Sequence, residues 1–481
     1  MTAAADRRGR RGLLLALVAT CIAYSFVQAV LNPALPAIAR DFEVPPGQVT
    51  WLVAANLLAG AVVTPLFGSL GDRLDARLIL LACVALVVVG SVLCAVAPNF
   101  ATIVVGRVVQ SGGNGVFPVC FIVARRQMPL AALPRAVGIL SSRVALGGGI
   151  GVVLGGYISD WVGYRWIFWI SAAYGAVVIV WILRAVDRVP PGQGPVAHVP
   201  SALLLSAWLS MITLALSWAP TRGWFSPAVA ALGAAGLVVL LLWVWVEWRV
   251  RNPLLELRIL LIRTVWVVDV AGMAVAAGMY VCFGIVPLLA QTPSGAGYGV
   301  DVSAAVAGLL LLPLTVGVVV GGALANRLVD RVGSRVVLAV STTACGLSLG
   351  LLAFWHDSLV SLAVALGLQG LGLGSAFAAM MRVLVAAVPH ERTGAATGLH
   401  ATLRVMGGAA AVAWAAGVLS AGENSLHVPS ESGYVLVFLV MGGLDVAVAL
   451  LALGASRLGR HCVPPPPEVS RTAGGQPAPP A

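Results

Sequence analysis

Apolar residues in this chain come in blocks of about twenty, and the polar stretches that interrupt them are short. The blocks fall at residues 12–39, 50–70, 78–97, 101–124, 136–159, 166–186, 199–219, 226–246, 264–290, 304–325, 336–355, 359–381, 394–421 and 434–455. Each is long enough to cross a bilayer as a helix. An open strand would leave its backbone groups unsatisfied in lipid. The pattern therefore predicts an all-α polytopic membrane protein with 14 transmembrane helices. The basic run Arg7-Arg8-Gly9-Arg10-Arg11 has the charge of a signal-peptide start. The block behind it is too long for a cleaved core and ends at no cleavage site, so it reads as an uncleaved first span.

Composition sharpens this picture. Of 481 residues, 60% are hydrophobic and only 10% charged, against roughly 25% charged in a soluble domain. A soluble enzyme, a secreted disulfide scaffold and a disordered regulator are all excluded. The net charge of +11 comes entirely from arginine, since the chain has 29 Arg and no Lys. These arginines sit in small clusters between apolar blocks, which marks membrane orientation rather than a nucleic-acid partner. With the N-terminus in the cytoplasm, 23 arginines fall on the cytoplasmic side and only Arg40, Arg165 and Arg222 outside. The remaining three, Arg107, Arg143 and Arg404, lie within spans. A missed helix would scramble that bias, so an even span count with both termini cytoplasmic is predicted. Abundant Ala, Gly, Val and Arg without Lys points to a GC-rich bacterial genome, hence a bacterial inner membrane. Six of the seven cysteines lie inside apolar blocks and none forms a C-x-x-C pair. They read as small buried hydrophobes, and no metal or cofactor is implied. A chain without Lys also cannot form a Walker A phosphate loop.

The chain repeats itself. Gly68-Ser-Leu-Gly-Asp72-Arg73-Leu-Asp75-Ala-Arg77 follows the second block, and Asn326-Arg-Leu-Val-Asp330-Arg331-Val-Gly333-Ser-Arg335 follows the tenth. This predicts two six-helix bundles, residues 12–186 and 264–456, with the seventh and eighth spans and a linker inserted at 187–263. Residues 1–11 are a cytoplasmic N-terminus, and the proline-rich stretch 457–481 reads as a disordered cytoplasmic tail. Parallel six-span halves place a transport site near the midplane between them.

Up to that tail the chain resembles the major facilitator superfamily, and its span count resembles the fourteen-span drug:proton antiporters. Four patterns carry the resemblance. The repeated loop is similar to the family's conformational latch, which implies that role for Gly68, Asp72, Arg73, Arg77, Asp330, Arg331, Gly333 and Arg335. Gly106-Arg107-Val-Val-Gln110 in the fourth span is similar to the family's R-x-x-Q-G. An arginine at that depth marks either an ion-pair or pathway site or a packing contact to carbonyls. Gly147-Gly-Gly-Ile-Gly151-Val152-Val-Leu-Gly155-Gly156 resembles the antiporter motif G-x-x-x-G-P-x-x-G-G, and Gly147, Gly151, Gly155 and Gly156 would let helices pack closely. Gly163-Tyr-Arg165-Trp-Ile-Phe168 resembles the W-R-W-I-F start of the sixth span. Two positions depart from the family: Val27 stands where the first-helix pattern has Asp, and Val152 where the fifth-helix motif has Pro.

Proton coupling needs a carboxylate that titrates while exposed alternately to each side. Asp269 and Asp445 are the acids within the predicted spans. Asp269, paired with an approaching arginine, is the expected coupling group, with Arg107 in a supporting role; Asp445 reads equally as a structural partner for another helix. Gln28, Asn32, Asn56, Gln110, Asn114, Arg143, Gln369, His400 and Arg404 would give an apolar cavity a few orienting groups, which suits a small amphipathic organic substrate. The expected function is proton-coupled export of amphipathic drugs or antibiotics by a monomer in the bilayer. A facilitator of a small metabolite is the alternative, and a non-transporting membrane sensor is disfavoured by the intramembrane charges. No nucleophile–base or metal-ligand cluster suggests an enzyme.

Overall fold

The computed structural model describes residues 3–129, 133–188, 199–251, 253–388, 393–422 and 428–454, and all regular structure there is helical. The 457–481 tail and most of the linker's first part lie outside the described residues. Helix α1 (Ala3–Ala29) ends before Asn32-Pro33, where a 3-10 turn (Asn32–Ala34) leads into α2 (Leu35–Asp41). The first block is thus bent rather than a single rod, because Pro33 and Pro36 lack backbone N–H donors. A short α3 (Pro46–Val49) precedes α4 (Trp51–Arg73) and α5 (Ala76–Ala95). Then come α6 (Phe100–Gln110), α7 (Val116–Gln127), α8 (Leu133–Trp161) and α9 (Arg165–Ala185). The inserted pair is α10 (Val199–Arg222) and α11 (Pro227–Arg249). The remainder is α12 (Arg263–Ala290), α13 (Ala304–Leu310), α14 (Leu312–Val332), α15 (Ser334–Phe354), α16 (Leu359–Ala387), α17 (Thr393–Ala421) and α18 (Glu431–Gly454).

Side chains set several of these boundaries. Asp75 Oδ1 accepts from Arg77 N at 3.0 Å to start α5, and Asn99 Oδ1 accepts from Thr102 N at 2.9 Å to start α6. Ser358 and Ser361 form a reciprocal capping box at α16. Each satisfies backbone donors that a helix start leaves orphaned.

Among the described residues, twelve segments are long and apolar enough to cross a membrane, where the block pattern predicts 14. The difference lies in the fourth and fifth blocks. The fourth is broken by a 3-10 turn over Ser111–Gly115, so neither α6 nor α7 is long enough alone. Three glycines in that turn, Gly112, Gly113 and Gly115, weaken a continuous helix. The fifth is α8, a 29-residue helix for which the side chains of residues 133–139 and 141–146 lie outside the described set. Helices α13 and α14 count together as one segment, Ala304–Val332.

The packing brings chain-distant helices together. Helix α1 packs on α8 and α9, and α5 on α6 and α9. On the other side α12 packs on α16, α17 and α18, α14 on α16, and α15 on α16 and α18. The main contacts between these two groups are α4 with α17 and α8 with α13. The inserted α10 lies against both α4 and α17, with α11 outside it. Glu247 lies one residue past the predicted eighth block. It lies in α11, is buried, and accepts from Ser201 Oγ at 2.5 Å and Leu254 N at 3.0 Å. It ties α11 to α10 and to the linker, a structural task.

Candidate functional site

Two groups of buried polar side chains face each other across the molecule. In the first, Asp269 of α12 and His400 of α17 meet with Oδ1 and Nδ1 2.8 Å apart, both side chains only 2% exposed. The expected arginine partner of Asp269 is therefore replaced by a histidine. The helices come close here because Gly272, three residues after Asp269, leaves room for the imidazole of His400 and the stem of Arg404. Asp269 Oδ2 and His400 Nε2 have no hydrogen-bond partner. The contact gives each of these two buried groups a polar partner. That makes burial tolerable where an isolated charge would be very costly.

Arg404 sits one turn beyond His400, with its guanidinium carbon 3.7 Å from the centre of the Phe377 ring of α16. Tyr280 of α12 covers Gly408, one turn further along α17. Asp445 and Gln369 form a separate place deeper in the same half. Both are fully buried, and neither carboxylate oxygen nor either amide atom has a hydrogen-bond partner. Asp445 Oδ2 and Gln369 Nε2 converge on Gly278, each 3.3 Å from where a side chain there would begin. The structure does not bring Asp445 to Asp269 or to an arginine among the described residues.

The second group lies on α1, α4 and the broken fourth block. Asn114 Oδ1 accepts from Tyr24 Oη at 2.9 Å and from Gln28 Nε2 at 3.4 Å, while its Nδ2 donates to Ser111 O at 3.0 Å. Gly60 gives Asn114 the space it needs on α4. Tyr24 and Tyr280 of α12 lie within electrostatic range of each other. Arg107 is buried away from any acid among the described residues. Its Nε donates to Leu52 O at 3.2 Å and its Nη1 to Gln110 Oε1 at 2.7 Å. Gln110 passes the chain on to Ser91 at 2.7 Å, and Asn56 donates to Arg107 O at 3.0 Å. Arg107, Gln110 and Asn56 thus tie α4, α5 and α6 together; of the two readings of Arg107, the carbonyl-bonded packing arginine describes this geometry. Asn32 is buried in the bend after α1. The side chain of Arg143 lies outside the described residues.

One end of the molecule is closed by contacts between α8 and α13. Asp160 accepts from Ala304 N at 3.2 Å and Ala305 N at 2.7 Å, one bond to each carboxylate oxygen. Gly156 meets Ala304 backbone to backbone, and Gly308 meets Val152 in the same way. Gly147 and Gly151 face the opposite direction, onto the backbone of α1 at Ile22 and Phe26, and Gly155 onto Val30 just past its end. Gln291 Nε2, at the end of α12, donates to Pro33 O at 3.0 Å. A cavity of about 840 Å³ lies at this end, lined by Arg40, Glu43, Asp160, Gln291, Asp301 and Tyr434 among others. Beside it Tyr164 donates to Asp41 at 2.5 Å, and Arg165 pairs with Asp41 at 3.3 Å. Burial, and then that bond to a carboxylate, hold the Tyr164 phenol well above its ordinary pKa, so it stays a donor.

At the opposite end, Arg77 Nη2 donates to Leu183 O at 2.6 Å, satisfying the end of α9. Asp330 pairs with Arg382 of α16 at 2.7 Å, an exposed pair that links two already packed helices. Gly68, within α4, faces Pro118, and Gly333 has φ 87° between α14 and α15, which favours glycine. Arg73, Arg331 and Arg335 are exposed. The side chain of Asp72 lies outside the described residues.

Sequence reading missed Asp160, Tyr24, Tyr280 and Phe377. Asp160 carried a readable signal, an acid at the very end of a glycine-faced span. The three aromatic residues carried none, because their apolar neighbours look the same on every face.

The sequence profile of the Major Facilitator Superfamily matches residues 13–300 and again 268–480. Multidrug resistance protein Stp of Mycobacterium tuberculosis (strain CDC 1551 / Oshkosh) is 29% identical over 423 residues, covering 85% of this chain and 76% of that protein. The uncharacterized MFS-type transporter YcnB of Bacillus subtilis (strain 168) is 25% identical over 453 residues, covering 91% and 94%. Among solved structures, a peptide transporter POT in complex with sulfate superposes with a TM-score of 0.69 at 15% identity, covering 94% of this chain and 95% of that one.

Proposed function

Because this chain belongs to the Major Facilitator Superfamily, we propose that it exports amphipathic drugs or antibiotics across a bacterial inner membrane by proton-coupled alternating access. It is a multi-pass membrane protein of a transporter family, with relatives named for multidrug resistance. The observation that carries the proton-coupled part is the buried Asp269–His400 pair, placed between α12 and α17 where helix movement would expose it. An inward proton gains about 2.3 kcal/mol per 100 mV, enough to drive uphill export. The reading includes 14 spans, the twelve segments above plus α6–α7 and α8. It also takes residues 12–186 and 264–456 as the moving halves of a monomer, with 187–263 as an inserted flank. Reconstituted protein should concentrate a drug inside liposomes under an imposed pH gradient, and a protonophore should abolish this. Equilibration without accumulation would instead favour a facilitator, the reading that Val27 at the family's first-helix Asp position supports.

Topology has its own test. In this reading the loop at Ser294, which is exposed, faces outward and Ser334 faces the cytoplasm. The six described cysteines are buried, so a Cys462→Ser background should label weakly with an impermeant maleimide. Ser294→Cys is expected to label in intact cells, and Ser334→Cys only after permeabilisation. The reverse pattern would overturn the orientation.

A further inference from the structure

Arg404 differs from every other described cation near the middle of the molecule. Arg107 is satisfied by a carbonyl and a glutamine. Among the described residues, no carboxylate lies within ion-pair distance of Arg404, and its Nε has no hydrogen-bond partner. Asp269, on the neighbouring helix α12, is already occupied by His400. The contact Arg404 does make is with the face of Phe377. A stacked guanidinium keeps its N–H donors along its edge, in the planar fork that matches a carboxylate in two parallel bonds. The ring contact therefore holds the Arg404 guanidinium without supplying an acceptor to its N–H donors, and Nε has none.

The surroundings of that edge describe a ligand. Tyr280 packs over Gly408, one turn along α17 from Arg404, and is within electrostatic range of Arg404; Tyr24, from the opposite half, is within electrostatic range of Tyr280. Tyr24 then leads to Gln28 and Asn114. Three aromatic rings, a few neutral polar atoms and one uncompensated cation make an apolar site with a single charged anchor.

We infer that Arg404 is the charge-recognition residue of the cargo site, and that the cargo is an amphipathic organic anion, an aromatic body bearing a carboxylate. This rests on the export reading above and deepens it by naming the substrate class. It also suits the energetics, since an anion leaving and a proton entering are driven in the same sense by an inside-negative potential.

A matched set of probes separates the two readings: 2-naphthylacetate, its amide and 2-naphthylethylamine, titrated calorimetrically into the full chain in lipid nanodiscs with empty nanodiscs as background. The carboxylate is expected to bind about tenfold or more tightly than the amide or the amine, as one charge-assisted hydrogen-bonded contact implies. Arg404→Gln should lower carboxylate affinity to that of the amide and leave the amide unchanged, while Arg404→Lys should recover part of the preference. Equal binding of the three probes, preference for the amine, or a preference that survives Arg404→Gln would overturn the anion inference and leave drug export standing. Failure of all three to bind the wild-type protein would overturn the central cluster as an amphipathic cargo site, and this inference with it. Thermal unfolding of each variant distinguishes lost recognition from lost folding.

Discussion

Replacing Asp269 with Asn is expected to abolish pH-gradient-driven accumulation in inverted vesicles while leaving substrate exchange largely intact. Exchange requires no net proton movement, so only the coupled reaction should fail. Asn keeps an acceptor that can face His400 Nδ1, so the α12–α17 contact at 2.8 Å can survive the substitution. The proton-holding capacity of the pair does not survive it. Removing His400 with Gln should produce the same phenotype, because in the proposed mechanism the two side chains share the coupled proton. The double variant should then be no worse than either single one, the non-additivity expected when two residues act as a unit. Asp445→Asn should retain gradient-driven transport, since Asp445 lies at Gly278 and Gln369 rather than at the pair. Accumulation by Asp269→Asn equal to wild type would refute coupling through this carboxylate.

The helical character and most segment positions were legible because lipid imposes a single rule on the whole chain: about twenty apolar residues per crossing, with backbone groups paired internally. The breaks were less legible. Asn32-Pro33 and Ser111–Gly115 sit inside uniformly apolar blocks, and hydropathy averages over such short interruptions. Pairing across helices was hardly legible at all. The one-turn spacing of His400 and Arg404 placed them on a common face, but nothing local to residue 269 marked His400 as its partner. That choice depends on Gly272, whose missing side chain admits the imidazole. The glycine face on α8 was visible as a stripe, yet it serves two neighbours: Gly147 and Gly151 pack on α1, Gly155 on Val30 just past its end, and Gly156 on α13. Adjacent residues on a helix point about 100° apart, so one more glycine opens a second face. The polar cluster around Asn114 was readable only as a list of polar residues within spans, because Tyr24 joins it from a helix far away in sequence.

Removing the Asp160 carboxylate is expected to open the end of the molecule that α8 and α13 close. Asp160 accepts two backbone N–H groups at the start of α13, where helix donors are unpaired and the local dipole is positive. It therefore caps a helix belonging to the other half, and the cap exists only while the halves meet at this end. Asp160→Ala deletes both acceptors and the charge, whereas Asp160→Asn keeps one acceptor without the charge. A helix cap with a favourable dipole contributes about 1–2 kcal/mol, which shifts a two-state population by about 5- to 30-fold. The remaining closure, from Gly156 against Ala304 and Gln291 on Pro33, is unaltered by the substitution. Spin labels at Val162→Cys and Ser294→Cys, both exposed and on opposite sides of the closure, report the separation by pulsed electron resonance. The longer-distance population should rise in the order wild type, Asp160→Asn, Asp160→Ala. In the proposed alternating-access cycle, opening at this end alternates with opening at the other, so a bias toward one state should also slow turnover at saturating substrate. Identical distance distributions in all three proteins would show that the cap does not hold the closed state, leaving the glycine contacts between α8 and α13 to do so.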